Sequence, residues 1–168
     1  MTTVIISKSE AQQVSNEVVI PPLPVAEPII ENTYFFPAVD PVRIRELMRL
    51  EHTVTPERLR AAIKDGIAET NAELYDWRNE QIALGFESLA DVPAEKIDGE
   101  SVRCFYYLRA VVAMTTATLY ERYRGVDAST RGDKKAEDIE STIDELWRDM
   151  RWAVSRLQGK SRCIIGQI

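Results

Sequence analysis

The chain has 168 residues, 45% of them hydrophobic and 29% charged, with a net charge of −6; this is the composition of one ordinary globular domain. The acidic balance argues against a dedicated nucleic-acid binder, although a local basic strip can coexist with it. No apolar run approaches the roughly 20 residues that a membrane helix needs, and the amino terminus lacks the basic start and apolar block of a secretory signal, so synthesis in the cytoplasm and no membrane partner are expected.

The first forty residues differ from the rest. They hold five of the eight prolines (Pro21, Pro22, Pro24, Pro28, Pro37) and set Lys8 against Glu10, Glu17, Glu27, Glu31 and Asp40. Each proline fixes its own φ and pushes its predecessor toward extended geometry. The reading is an extended arm over residues 1–39. Its aliphatic runs, Val18-Val19-Ile20 and Ile29-Ile30, favour docking on a neighbour over a disordered tail.

Helices are expected from Asp40-Pro41 onward, a cap followed by proline at the first helical position. A short helix over 41–51 would place Ile44, Leu47 and Met48 on one side. Thr55-Pro56 repeats the start signal. Leu59, Ile63, Gly66/Ile67, Thr70, Leu74, Trp77 and Leu84 then recur at helical spacing, predicting one long helix that Gly85 ends. Gly66 inside it marks either a close helix contact or a bend.

Residues 86–100, with Asp91-Val92-Pro93 and Asp98-Gly99, read as a loop. The next helix, 101–124, carries two stripes: Phe105, Leu108, Val112, Leu119 and Tyr123, and Val102, Tyr106, Ala113, Ala117 and Tyr120. A helix apolar over most of its circumference is a central one. Its small residues, Ala110, Ala113, Thr115, Thr116 and Ala117, invite close neighbours. After a polar loop, 126–133, the last helix runs over 133–157 with Ile139, Ile143, Leu146, Met150, Ala153/Val154 and Leu157 as a bundle seam. Gly159 stops it. The expected fold is therefore all-α: a compact bundle of about four helices over 40–158, with the proline-rich arm before it and a short β-prone tail, 159–168, after it. Such a tail suits strand addition to a partner or insertion into a groove.

No constellation for chemistry emerges. The single histidine, His52, removes most catalytic and zinc-site options, and HExxH, GxxxxGK[ST] and GxGxxG are absent. A nucleophile pair of Cys104 or Cys163 with His52 has no local support. Cys104 lies in an apolar helical stretch, where a free thiol behaves as a small hydrophobe. Glu137, Asp138, Glu140, Asp144 and Glu145 interleave with Arg148 and Arg151 as on a solvated face. No cofactor, metal or active site is expected.

What remains are surfaces. Trp147 and Trp152, five residues apart, point in different directions, so either the core is wide or one of them leaves it; tryptophan with arginine is a common interface anchor. Trp147, Arg148, Arg151 and Trp152, with the tail residues Arg162, Cys163, Ile164, Ile165, Gln167 and Ile168, form the candidate partner-binding set. Three basic groupings lie on the first helix (Arg43, Arg45, Arg49), around the polar loop and near the end (through Arg156, Lys160 and Arg162). Each is diluted by acids and reads first as mixed-charge surface. Arg124, Arg131, Lys134 and Lys135 are the candidates for facing a DNA channel, because sequence-independent phosphate contact needs only loosely spaced cations.

Longer blocks carry a resemblance. Ala68-Glu-Thr-Asn-Ala-Glu-Leu-Tyr75, Leu89-Ala-Asp-Val-Pro-Ala94, Ile97-Asp-Gly-Glu-Ser101, Tyr120-Glu-Arg-Tyr-Arg-Gly-Val-Asp-Ala128 and Ser141-Thr-Ile-Asp-Glu-Leu-Trp-Arg-Asp-Met-Arg-Trp-Ala-Val154 resemble the head completion/stabilisation family of temperate enterobacterial myophages, from about Asn32 to the end. The resemblance implies a structural, non-enzymatic subunit of the virion neck. As a connector it would bind the portal protein of DNA-filled heads, protect the packaged double-stranded DNA that passes through, and offer a surface to a downstream connector or tail terminator protein. Adaptors of similar role in other tailed phages form twelve-subunit rings, which makes other copies of the chain partners as well. The reading from another class is a DNA-binding regulator that uses the basic end of the last helix; the net charge and the lack of a helix-turn-helix pattern disfavour it.

Overall fold

A computed structural model describes residues 27–48, 54–124 and 133–160, the side chains of 123, 124 and 133–138 excepted. Among the described residues there are five helices: α1 (Pro41–Leu47), α2 (Pro56–Glu73), α3 (Tyr75–Ala83), α4 (Val102–Arg124) and α5 (Asp133–Leu157). Two two-residue strands, β1 (Lys96–Ile97) and β2 (Glu100–Ser101), make a minimal hairpin. The fold is all-α.

Local signals place the helix ends. The Asp40 carboxylate accepts the Val42 N–H at 2.9 Å, and the Thr55 hydroxyl accepts the Arg58 N–H at 3.4 Å; proline follows each cap. These satisfy N–H groups that the first helical turn leaves without partners. The carboxy ends of α3 and α5 close alike. Gly85 and Gly159 take φ of 93° and 75°, and the N–H of the following residue reaches back to the carbonyls of Gln81 and Ser155. Only glycine adopts that left-handed conformation without strain, which makes these Schellman caps. In the hairpin, Asp98 and Gly99 both have positive φ (51° and 77°), as a tight type I′ turn requires.

The helices form a layer with α4 in the middle. α2 and α5 each pack along α4 and scarcely touch one another. At the α2–α4 crossing Gly66 lets the backbones meet. A β-carbon there would stand 2.6 Å from Thr115 Oγ1 and 3.2 Å from both the Thr115 nitrogen and the Val111 carbonyl oxygen. Of the two readings open for Gly66, the close contact is the observed one. Ala110, Ala113, Thr115, Thr116 and Ala117 are all buried, as their small size anticipated.

Several expectations need correction. The long helix is bent rather than continuous: Leu74, at φ −97° and ψ 4°, separates α2 from α3. Neither glycine nor proline causes the bend. Leu74 is fully buried, and hydrogen bonds from its N–H to Thr70 and from Arg78 to its carbonyl carry the chain through. Beyond the bend Trp77 still packs against the core, as its spacing anticipated, but Leu84 is 70% exposed. α1 is shorter than expected, Met48 being extended, so Leu47 faces out while Ile44 and Met48 are buried. On α4 the stripes are displaced: Phe105 is 46% exposed, whereas Tyr107, Val111 and Met114, which belong to neither stripe, are buried. A helix apolar nearly all round carries little information about which side each neighbour will take.

The end of the expected arm is also part of the core. Ile30 and Val39 exchange backbone hydrogen bonds at 2.8 and 2.9 Å, closing a loop whose tip drives Phe35 and Phe36 inward. Phe36 stacks on Tyr107 at 4.8 Å, and Phe35 meets the edge of Trp77 at 6.4 Å. Ile30 is therefore used within its own chain, while Ile29 stays exposed. Residues 27–39 fold back because two adjacent phenylalanines bury more apolar surface than an extended strand could leave in water. Residues 1–26 lie outside the described residues.

One polar ring pins this loop to α2 and α4. The Tyr107 hydroxyl donates to Asn71 Oδ1 (2.8 Å) and accepts from Asn32 Nδ2 (2.7 Å), while Asn71 Nδ2 donates to Asn32 Oδ1 (2.9 Å). Burial pushes the Tyr107 phenol well above its ordinary value, with the Asn32 hydrogen bond opposing in part. A raised phenol in the folded state gives stability that is complete below the unfolded value and is lost as pH rises through the folded one. Unfolding monitored against pH should thus show stability falling from about pH 10 upward. Y107F should lack that decline and lose about 1–3 kcal/mol at neutral pH, because Asn71 keeps an unpaired acceptor.

The Gly66 contact is tested by the sign of a substitution. Helix propensity alone would make G66A stabilising by about 1 kcal/mol. Urea denaturation should instead show G66A destabilised by about 1–3 kcal/mol, because the obstructing atoms include backbone. Thr115 Oγ1 is buried without a hydrogen-bond partner, so T115A should be nearly neutral and should partly rescue G66A.

Candidate interaction surfaces

The α5 seam sets the directions of the residues beside it. Ile143, Met150, Ala153, Val154 and Leu157 are buried at helical spacing, and at about 100° per residue Trp147 falls beside that stripe while Trp152 points well away from it. Both are half-buried. Trp147 packs against the core, its indole N–H donating to Glu121 Oε1 at 3.1 Å. Trp152 carries the Arg148 guanidinium over its ring at 4.8 Å. Of the two, Trp147 is the one packed against the core, and Trp152 is half-buried outside that cluster.

Beside Trp152 lies a groove of about 200 Å³ lined by Tyr106, Arg109, Trp152, Ala153 and Arg156. Arg109 reaches Asp149 at 3.6 Å across it, and Phe105 meets the Tyr106 ring edge-on at 5.5 Å. Sequence inspection did not connect Tyr106 and Arg109 with the last helix. They face it only because α4 and α5 run antiparallel in a particular rotation, and no residue pattern on either helix states that rotation.

The rest of the candidate set divides. Arg148 and Arg151 are exposed on α5. Arg162, Cys163, Ile164, Ile165, Gln167 and Ile168 lie outside the described residues. So does Arg131, while Arg124 closes α4 and Lys134 and Lys135 open α5 with side chains that are not described. The carboxy end of α5 is held by Arg103. Its guanidinium donates to the Leu157 carbonyl and, at 3.2 Å, to that of Pro93, and lies 5.4 Å from the Trp77 ring centre. A cation is well placed at the negative end of a helix. Burial lowers the pKa of this arginine, which remains charged at neutral pH.

A second apolar surface surrounds α3, which buries none of its residues completely. Tyr34, Ile82, Gly85, Phe86 and Glu87 line a shallow depression there, next to the exposed Leu84. Three basic side chains elsewhere form ion pairs: Arg122 with Asp65 at 2.7 Å, Arg45 with Glu27 at 2.7 Å and Arg43 with Glu100 at 3.4 Å. Mixed-charge surface is thus the observed character around Arg43 and Arg45 of the first-helix group, Arg49 lying outside the described residues.

Among the described residues no cluster of histidine, cysteine, aspartate or glutamate could hold a metal ion, and no helix is long and apolar enough to cross a membrane. Burial pushes the Cys104 thiol up, with Glu100 and Asp91 adding to the effect, so it is a poor nucleophile at neutral pH. The histidine, His52, lies outside the described residues.

Substitutions should separate the shoulders of α5. R148A and R151A are expected to change stability in urea by less than about 0.5 kcal/mol, as exposed positions do. W147A should cost about 2 kcal/mol or more, since it removes a ring packed on the core.

Comparison with known proteins bears on these surfaces as a whole. The family model described as "Phage head completion protein (GPL)" matches residues 30–168. The "Head completion/stabilization protein" of Escherichia phage P2 is 65% identical over 169 residues, spanning all of both chains. No solved structure matches.

Proposed function

The chain belongs to the phage head completion protein family, and from that membership we propose that it is a structural subunit of the virion which completes the DNA-filled head by binding the portal vertex. The observation that carries this reading is the end-to-end identity of 65% with a head completion/stabilization protein. At that level of identity the two chains share a fold.

In this reading the subunit acts by covering and joining. Copies of the chain assemble as a ring on the portal protein, twelve in the virion, and close the exit of the packaged DNA. The ring then presents a surface to a downstream connector or tail terminator protein. The duplex passes through without sequence-specific contact, with Arg124, Arg131, Lys134 and Lys135 as its candidate neighbours at one end of the α4–α5 pair. Assembly takes place in the host cytoplasm, and the finished subunit resides in the neck. The character of the described surface supports a joining role: aromatic and arginine side chains lie along α5.

The carboxy-terminal tail is the proposed portal contact. Its apolar residues Ile164, Ile165 and Ile168 follow directly on an α5 end that Arg103 fixes against the Pro93 loop. Deleting 162–168 should leave the helical circular dichroism and urea midpoint unchanged and abolish co-sedimentation with DNA-filled, portal-bearing heads. Undiminished attachment of the truncated protein would refute the contact.

A further inference from the structure

The groove beside Trp152 has the composition of a docking site for an extended, proline-rich, acidic segment. Tyr106 and Trp152 supply flat aromatic walls, Arg109 and Arg156 its charged rim, and Arg148 lies over the indole. Proline rings pack on aromatic faces, and a segment already held extended loses little entropy on docking. Among the described residues Asp149 pairs with Arg109 at 3.6 Å and Glu145 with Arg148 at 3.9 Å, so three arginines at the rim face two carboxylates and a modest excess of positive charge remains.

The chain itself contains such a segment. Residues 17–26 read Glu-Val-Val-Ile-Pro-Pro-Leu-Pro-Val-Ala, and between Ser9 and Ala26 there are two glutamates, Glu10 and Glu17, and no lysine or arginine. Its point of departure is equally informative. At the first described residues the Glu27 carboxylate pairs with Arg45 of α1 and the Pro28 carbonyl accepts from Arg60 of α2. The segment therefore leaves from the α1–α2 side. On α4 the residues that meet α2 (Val111, Thr115, Arg122) and those that line the groove (Tyr106, Arg109) lie on roughly opposite sides, at about 100° per residue. The described residues at which the segment attaches, Glu27 and Pro28, and the groove are thus on roughly opposite flanks of one subunit.

We infer that the α4–α5 groove receives the proline-rich segment 17–26 of a second copy of this chain. A donor on one flank and an acceptor on the other make a head-to-tail contact, the kind from which a ring is built when the rotation between copies closes. This deepens the ring reading proposed above and rests on it, but it is tested without heads or portal.

A dye-labelled peptide of residues 9–26 is titrated into the full-length protein and followed by fluorescence anisotropy. Saturable binding is expected, weakened tenfold or more by R156E or R109E, both exposed positions, and by serine at Pro21, Pro22 and Pro24 of the peptide. V42S, on α1, should leave it unchanged. No binding, or binding indifferent to R156E and R109E, overturns the inference. The donor is identified by disulfide trapping between L23C and R156C in a C104S/C163S background. Mixing the two single-site chains should give a reducible dimer. Placing both substitutions on one chain and recovering only an internally linked monomer would show that each groove holds its own segment, and would overturn the second-copy assignment. Failure of the head-attachment experiment with a positive result here would instead refute the portal contact alone.

Discussion

The architecture depends on how closely α2 can approach α4. Gly66 removes the one side chain that would hold the helices apart, and the Thr115 and Val111 backbone atoms fill the space. Close approach brings Leu59, Ile63, Ile67 and Thr70 of α2 into full burial. It also brings Asn71, the residue after Thr70, near enough to the Tyr107 hydroxyl for a hydrogen bond. A wider spacing would leave both groups of that pair unsatisfied inside the protein, where an unpaired polar group is costly.

From that crossing the remaining parts follow as successive layers. The Asn32–Asn71–Tyr107 ring fixes the loop 27–39, and the loop in turn lays Phe35 and Phe36 over the exposed edge of α4 and against Trp77. Leu89 donates its N–H to the Phe35 carbonyl, which anchors the segment after α3. Arg103 then joins the Pro93 carbonyl to the end of α5. Charged and amide side chains here act as connectors between elements whose apolar contacts alone would permit sliding. None of them is arranged to move a proton or hold a metal.

The surface left over is suited to assembly. Aromatic side chains with exposed edges occur on both flanks, and arginines border one of them. Surface ion pairs such as Arg122–Asp65 contribute little to folding, roughly 1 kcal/mol or less. Tryptophan and arginine at a groove gain most when a partner excludes water from them. A structural member of a head completion family uses its fold to hold such surfaces at fixed angles, and the three-helix layer does this with few loops.

Some of this was legible in the sequence alone. Asp40-Pro41, Thr55-Pro56, Gly85 and Gly159 set helix ends through local hydrogen bonds, which need no tertiary partner, and each end lies where those residues put it. The α5 stripe was legible because a helix buried on one side has an unambiguous period. The face of α4 was not, since apolar residues nearly surround it and only its neighbours select Tyr107 and Val111 over Phe105. The bend at Leu74 has no glycine or proline to announce it. Phe35 and Phe36 looked like the end of an arm because burial of a loop is decided by a cavity elsewhere in the chain. The groove of Tyr106, Arg109, Trp152 and Arg156 belongs to the same class. Its residues are separated by more than forty positions, and only the rotation of α5 against α4, fixed by packing, puts them side by side.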